Sequence, residues 1–194
     1  MCVRHVALTM VLTGTMLTAQ APGTWTIKEA PANLQPLIAR ADLMIATMHD
    51  SVLHELAGAL DAGGADKAIL SCHIESVLVT QRFAREGIAG GRTSDRLRNP
   101  TNAPRAWAAP LVKSYAGRMA RDIDGFAVDL GDRVGVLRPI SERSICASCH
   151  GPAEHLSATV RQELAERYPA DQAVGFKVGE IRGWYWLELP KHPR

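Results

Sequence analysis

Cys146-Ala147-Ser148-Cys149-His150 sets two thiols three positions apart and an imidazole directly after the second. That spacing serves one chemistry above others, the covalent attachment of a c-type haem. Two sulfurs so placed reach the two vinyl groups along one porphyrin edge, and the next residue brings its ring under the iron as the proximal ligand. Two plainer uses of such a pair find no support in the rest of the chain. A structural zinc site wants four ligands, and the remaining cysteines, Cys2 and Cys72, form no second pair of that kind. A thioredoxin-type redox pair is expected beside a βαβ pattern, usually in a cytosolic protein.

The N-terminus points to a compartment where haem attachment takes place. Arg4 precedes an apolar run from Val6 to Ala19, and Ala19-Gln20-Ala21 supplies a small-x-small cleavage site. The run is short for a bilayer span. Residues 1–21 are therefore read as a signal peptide and residues 22–194 as one domain, exported to the periplasm. Pro22 would follow the cut and hinders signal peptidase. Cleavage after Ala19, or retention as an anchor, stays open, and membrane contact is expected only in the second case. Acids and bases nearly balance, with a net charge of +2, which argues against a nucleic-acid partner. Aromatic residues are few, so Ala, Leu, Val, Met and the porphyrin itself must fill the core.

Cysteine arithmetic leaves one thiol unexplained. Cys2 leaves with the signal, Cys146 and Cys149 become thioethers, and Cys72 stands alone in an oxidising compartment, where it must be buried, paired or bound to metal. Two helical segments flank Gly63-Gly64. The first, about Pro31 to Leu60, repeats Leu34, Leu37, Ile38, Ala41, Met44, Ile45, Met48, Val52, Leu56 and Leu60 at intervals of three and four. The second, about Ala65 to Arg82, is apolar on most faces and so expected to be buried. There Cys72 shares a stripe with Ala65, Ala68, Ile69, Ser76 and Val79, small enough in part to admit a flat macrocycle. His73 points about 100° away.

Beyond the helices the period changes. Arg92 to Arg98 reads as a short strand, stopped by Asn99-Pro100, and Asn102 as the cap of a helix bearing Trp107, Leu111, Tyr115 and Met119. Phe126–Leu130 and Arg133–Ile140 flank Gly131-Asp132 as a hairpin. Ala153 to Arg167 is predicted helical. Gly175 to Leu189 is read as a second hairpin through Gly179-Glu180, with Tyr185, Leu187 and Leu189 alternating against Trp184, Trp186 and Glu188. The class is α+β: N-terminal helices packed with an antiparallel sheet of about five strands.

Several motifs in order carry a resemblance. Arg98-Asn99-Pro100-Thr101-Asn102-Ala103-Pro104 with Trp107, Arg138-Pro139-Ile140, Cys146 to Gly151, Tyr168-Pro169-x-Asp171 and Gly175-Phe176-x-x-Gly179-Glu180-Ile181-Arg182-Gly183 resemble a bacterial family of exported haem c proteins of unknown function. The likeness runs from about residue 30 to 189. It implies a PAS-like fold, found in stand-alone proteins and in sensor regions of histidine kinases, and a haem held between the motif histidine and a cysteine of an N-terminal helix. Cys72 occupies that cysteine's place. His73 follows it where a small polar residue is expected, a departure that leaves the distal ligand open between Cys72, His73, a methionine, water or nothing.

The expected iron ligands are thus His150 and Cys72, with Arg98 and Arg138 as candidate partners of the haem propionates; a structural salt bridge is the competing role for each arginine. His49, His54, His155 and His192 default to solvated or hydrogen-bonded side chains, and Met44, Met48, Met119, Trp107, Trp184 and Trp186 to the core. The function expected is a redox- or gas-responsive haem domain without enzymatic activity. No kinase region is expected, and any output is expected to pass to a separate redox or signalling partner. A plain periplasmic electron carrier is the alternative.

Overall fold

The periodic N-terminal segment folds as α1, Gln35–Gly63, and its buried residues Ile38, Ala41, Ile45, Met48 and Val52 recur every three or four positions. Pro36 lies in the first turn, where a missing N–H breaks no helical bond. The chain leaves at Gly64, whose φ of +79° suits glycine. The computed structural model describes residues 23–64, 67–69, 81 and 83–192. The expected signal peptide, most of the second helix, Cys72 and His73 lie outside the described residues.

Five strands form one antiparallel sheet: β1 (Thr24–Thr26), β2 (Ala89–Thr93), β3 (Phe126–Asp129), β4 (Arg133–Ser141) and β5 (Ile181–Pro190), in the order β1-β3-β4-β5-β2. Three shorter helices follow β2: α2 (Ala109–Ser114), α3 (Ser144–His150) and α4 (Ala158–Arg167). This is the expected α+β class. The two-residue strand period divides the core between the faces of the sheet. Val134, Val136, Ile140, Tyr185, Leu187 and Leu189 pack against α1, while Phe126, Leu137 and Trp184 meet Ala108 and Val112 on the other side. A smaller cluster, Leu156, Val160 and Leu164 with Ile69, lies beside Cys149. Among the described residues no helix is long and apolar enough to cross a membrane.

The first hairpin forms as read, with Gly131 at φ +86° and Leu130 N–H closing onto Arg133 O at 3.0 Å. Other boundaries move. The strand expected at Arg92–Arg98 runs earlier, because large β5 side chains lean over two glycines: a Cβ on Gly90 would lie 2.3 Å from Leu187 Cδ2 and one on Gly91 3.1 Å from the Trp186 ring. Ser94 then turns the chain, its hydroxyl donating to Arg182 O at 2.8 Å and accepting from Arg96 N at 3.2 Å. Asn102 caps no helix. Asn99 instead caps a short turn at Pro100–Asn102, and α2 starts only at Ala109, with Pro110 in its first turn.

The second hairpin does not form. Gly175 and Phe176 give their N–H groups to Gly151 O and His150 O at 2.8 and 3.0 Å, so that segment is a loop. The fifth strand is β1, which pairs with β3. Between Ala153 and Arg167 the helix is delayed to α4, whose cap is Ser157, its Oγ accepting from Val160 N at 3.2 Å. On β4, Pro139 lies past the last β3 partner, Leu137↔Phe126, where β5 is the strand's one remaining neighbour. A residue without an N–H is tolerated there.

Candidate functional site

The Cys-x-x-Cys-His residues form α3 just after β4. Glu142 ties the connection at both ends, its N–H donating to Glu180 O and its carbonyl accepting from Gly179 N, each at 2.8 Å. The helix stops at His150 because the chain turns tightly at Gly151, where a Cβ would meet Ala147 O at 2.5 Å. Cys146 is buried, Cys149 is partly buried, and neither is in a disulfide. Desolvation raises the Cys149 pKa above the ordinary thiol value.

His150 is held in one tautomer. Its Nδ1 donates to Ala173 O at 2.7 Å, which leaves the Nε2 lone pair for a metal. The ring stands nearly edge-on to Phe176, with centroids 6.4 Å apart. Desolvation, then the Arg182 and Arg98 charges, push its pKa well below the usual histidine value, so the imidazole is neutral. A neutral, oriented imidazole is the form that binds a metal ion.

His150, Cys146 and Cys149 line one cavity. Its apolar wall comes from Val52, Leu53, Leu56 and Leu60 of α1, with Ala68 and Ile69 beyond. Thr93, Ile140, Gly183 and Tyr185 form the sheet side. His49 also faces the cavity, its Nδ1 3.0 Å from the Tyr185 hydroxyl. Arg92, Arg96, Arg98, Arg143 and Arg182 also line it. Two thiols, one metal-binding nitrogen, an apolar wall and several guanidiniums together suit a flat apolar group that carries both a metal and carboxylates. Among the described residues no three His, Cys, Asp or Glu side chains converge.

The two arginines singled out in the sequence separate. Arg98 lies at the site, but as an anchor. Its Nε donates to Asp171 at 3.0 Å and its Nη2 to Cys149 O at 2.6 Å, which ties the end of α3 to the 171–173 loop. Its Nη1 lies 3.4 Å from His150 Nε2. Arg138 lies outside the cavity wall. It makes a two-pronged pair with Asp42, at 2.7 and 2.6 Å, and also bonds Asp124 O. Of the two roles expected for Arg138, the structure shows the salt bridge.

Sequence reasoning missed Arg92, Arg96, Arg143 and Arg182 as lining residues. Arg96 shows why: it is drawn in by partners remote in sequence, stacking 3.5 Å over Phe176 and donating to Glu180 at 2.6 Å. The recurrence of arginine at 92, 96 and 98 was the available signal. Met48 is buried in the main core, and Met119 pairs with Glu180 through a backbone bridge. Trp107 packs beside α2 and donates its indole N–H to Glu188 at 2.8 Å.

One more pair borders the site. Arg182 Nε is 3.1 Å from Glu142 Oε2. The approach is not an aligned hydrogen bond, and among the described residues neither Glu142 oxygen nor Arg182 Nε has a hydrogen-bonding partner. Desolvation outweighs the attraction of Arg182 and Arg98 and raises the Glu142 pKa to about 7.

A family model described as Tll0287-like matches residues 18–190. Among solved structures, that of the cyanobacterial heme-protein Tll0287 shares the fold, with a TM-score of 0.60 at 21% identity, over 85% of this chain and 99% of the other. No curated protein matches the chain.

Proposed function

The chain belongs to the Tll0287-like family, and from that premise we propose that it is a periplasmic mono-haem c protein of PAS-like architecture, acting as a redox- or gas-responsive haem domain. Cys146 and Cys149 bind the porphyrin edge, His150 holds the iron, and Cys72 is the distal ligand. The observation that carries the reading is the pairing of His150 Nδ1 with Ala173 O above two unpaired thiols in one apolar-walled cavity. The solved relative's description as a heme-protein supports it. Bound there, a haem would supply a one-electron iron couple and a metal centre able to take a small gas.

The chain's own groups do the rest. Ala173 O fixes the imidazole, Arg98 locks the C-terminal end of α3, and the α1 wall keeps water from one side. A thiolate from Cys72 would favour ferric iron and hold the potential low.

The test begins with protein made alongside the cytochrome c maturation machinery. Haem should survive denaturation on the chain and be lost from a Cys146→Ser/Cys149→Ser variant. Colourless protein at apoprotein mass overturns the proposal. Cys72→Ala should change the ferric absorption spectrum; an unchanged spectrum removes Cys72 as a ligand. Rapid carbon monoxide binding to the ferrous form supports the responsive role. Inertness to it, with fast exchange with another cytochrome, identifies an electron carrier.

A further inference from the structure

Among the described residues, three buried polar groups at one wall of the cavity lack hydrogen-bond partners: the Glu142 carboxylate, Arg182 Nε and Thr93 Oγ1. Arg182 and Thr93 line the cavity, and Glu142 lies behind Arg182, 1% exposed. Buried polar groups are normally satisfied, so a cluster of orphans beside a functional cavity calls for a physical account. Two other buried carboxylates show the contrast. Glu180 accepts from Arg96 Nη2 at 2.6 Å and Lys177 N at 3.0 Å, and Glu188 accepts three side-chain hydrogen bonds. Both have aimed donors, and among the described residues the Glu142 carboxylate has none.

We propose that Glu142 couples proton uptake to electron transfer at this site: for each electron delivered to the iron by a one-electron donor, the Glu142 carboxylate takes one proton from solvent and becomes a neutral acid. Reoxidation returns both. The inference rests on the haem reading above. No other bond forms or breaks, and the charge added by the electron is cancelled by the proton.

Electrostatics gives the direction. Glu142 is faced by Arg182 from β5, by Arg96 and Arg98 from the segment after β2, by Glu180 from the turn before β5, and by Cys149 from α3. The three arginines favour the charged carboxylate, while burial and Glu180 favour the neutral acid. An electron arriving in the cavity lowers the positive charge near Arg182 and tips this balance toward the acid. Linkage is reciprocal, so protonation of Glu142 raises the affinity of the site for the electron by the same factor. Burial has already brought the group to about 7, within reach of such a change.

The experiment is a spectroelectrochemical titration of the full haem-loaded chain between about pH 5 and 9, where a one-proton coupling gives a tenfold shift per pH unit, or about 59 mV for a one-electron couple. The wild-type midpoint potential should fall with that slope through part of the range, and Glu142→Gln should be flat there. A reduced-minus-oxidised infrared spectrum of the wild type should gain a protonated-carboxyl band, which keeps the test independent of how the variant folds. A wild-type potential independent of pH, a slope kept in Glu142→Gln, or absence of the band overturns the coupling while leaving the haem reading intact. Failure of the chain to carry haem overturns both.

Discussion

Two buried glutamates stand at opposite ends of the β4–β5 pair, and they are treated differently. Glu188, opposite Gly135, accepts from Arg105 Nε at 2.9 Å, Arg105 Nη2 at 3.4 Å and Trp107 Nε1 at 2.8 Å. Glu142, just past the Ser141↔Ile181 end, has an arginine at 3.1 Å and no aligned donor. Both side chains are almost wholly out of water. Burial alone therefore does not decide whether a carboxylate is satisfied; the number of donors aimed at it does. One end of the sheet surrounds its carboxylate with donors, and the end beside the cavity leaves its own without an aligned one among the described residues.

That contrast breaks if the two positions respond alike. Glu188→Leu should carry the largest cost, about 2–4 kcal/mol in urea unfolding, because it strands the Trp107 N–H and half-buried Arg105 together. A loss under about 0.5 kcal/mol would mean that the network contributes nothing. Glu142→Gln should act in the other direction, stabilising the chain by up to about 3 kcal/mol at pH 8, where the wild type must hold a buried charge, and by nothing near pH 4.

The sign follows from linkage. A carboxyl whose folded pKa is raised from 4.5 to about 7 gives stability that is complete below 4.5 and lost as pH rises through 7. The wild type should thus fall behind the variant by up to about 3 kcal/mol across that window. His150 pulls the wild-type curve the opposite way, since its lowered pKa makes the haem-free fold lose stability as pH drops below 6.5. Only the difference between variant and wild type isolates Glu142. An equal offset at pH 4 and pH 8 would refute the assignment of the charge.

The smallest effect separates the two arginines. Arg138→Met should cost about 1 kcal/mol, because Asp42 and Asp124 are exposed enough to be rehydrated, and should leave haem content unchanged. Arg98→Met should reduce the yield of haem-bearing protein, since it frees Cys149 O and Asp171 together. Equal yields from both variants would remove Arg98 as the anchor of α3.

Local structure was legible in the sequence. The period of α1 and the Gly131-Asp132 turn each declare themselves within a few residues. What was illegible depends on distant partners. Gly90 and Gly91 look like poor strand residues until Leu187 and Trp186 fill the space above them. The 175–178 segment looked like a strand, but its donors are taken by the end of α3. Glu142, in a Ser-Glu-Arg stretch without period or motif, gave no sign that folding would bury it behind Arg182.

Pro139 has a consequence for the company this molecule keeps. Beyond Leu137 one flank of β4 runs without a β3 partner and is covered by the single turn at Ala120–Asp122 instead of a strand, a stretch where a stray chain displacing that turn could begin to zip on and seed aggregation. A residue with no amide hydrogen interrupts that template, and the chain bends into α3 a few residues later. The approach to Cys146 is in this way guarded against unwanted sheet growth by a single ring of three methylenes.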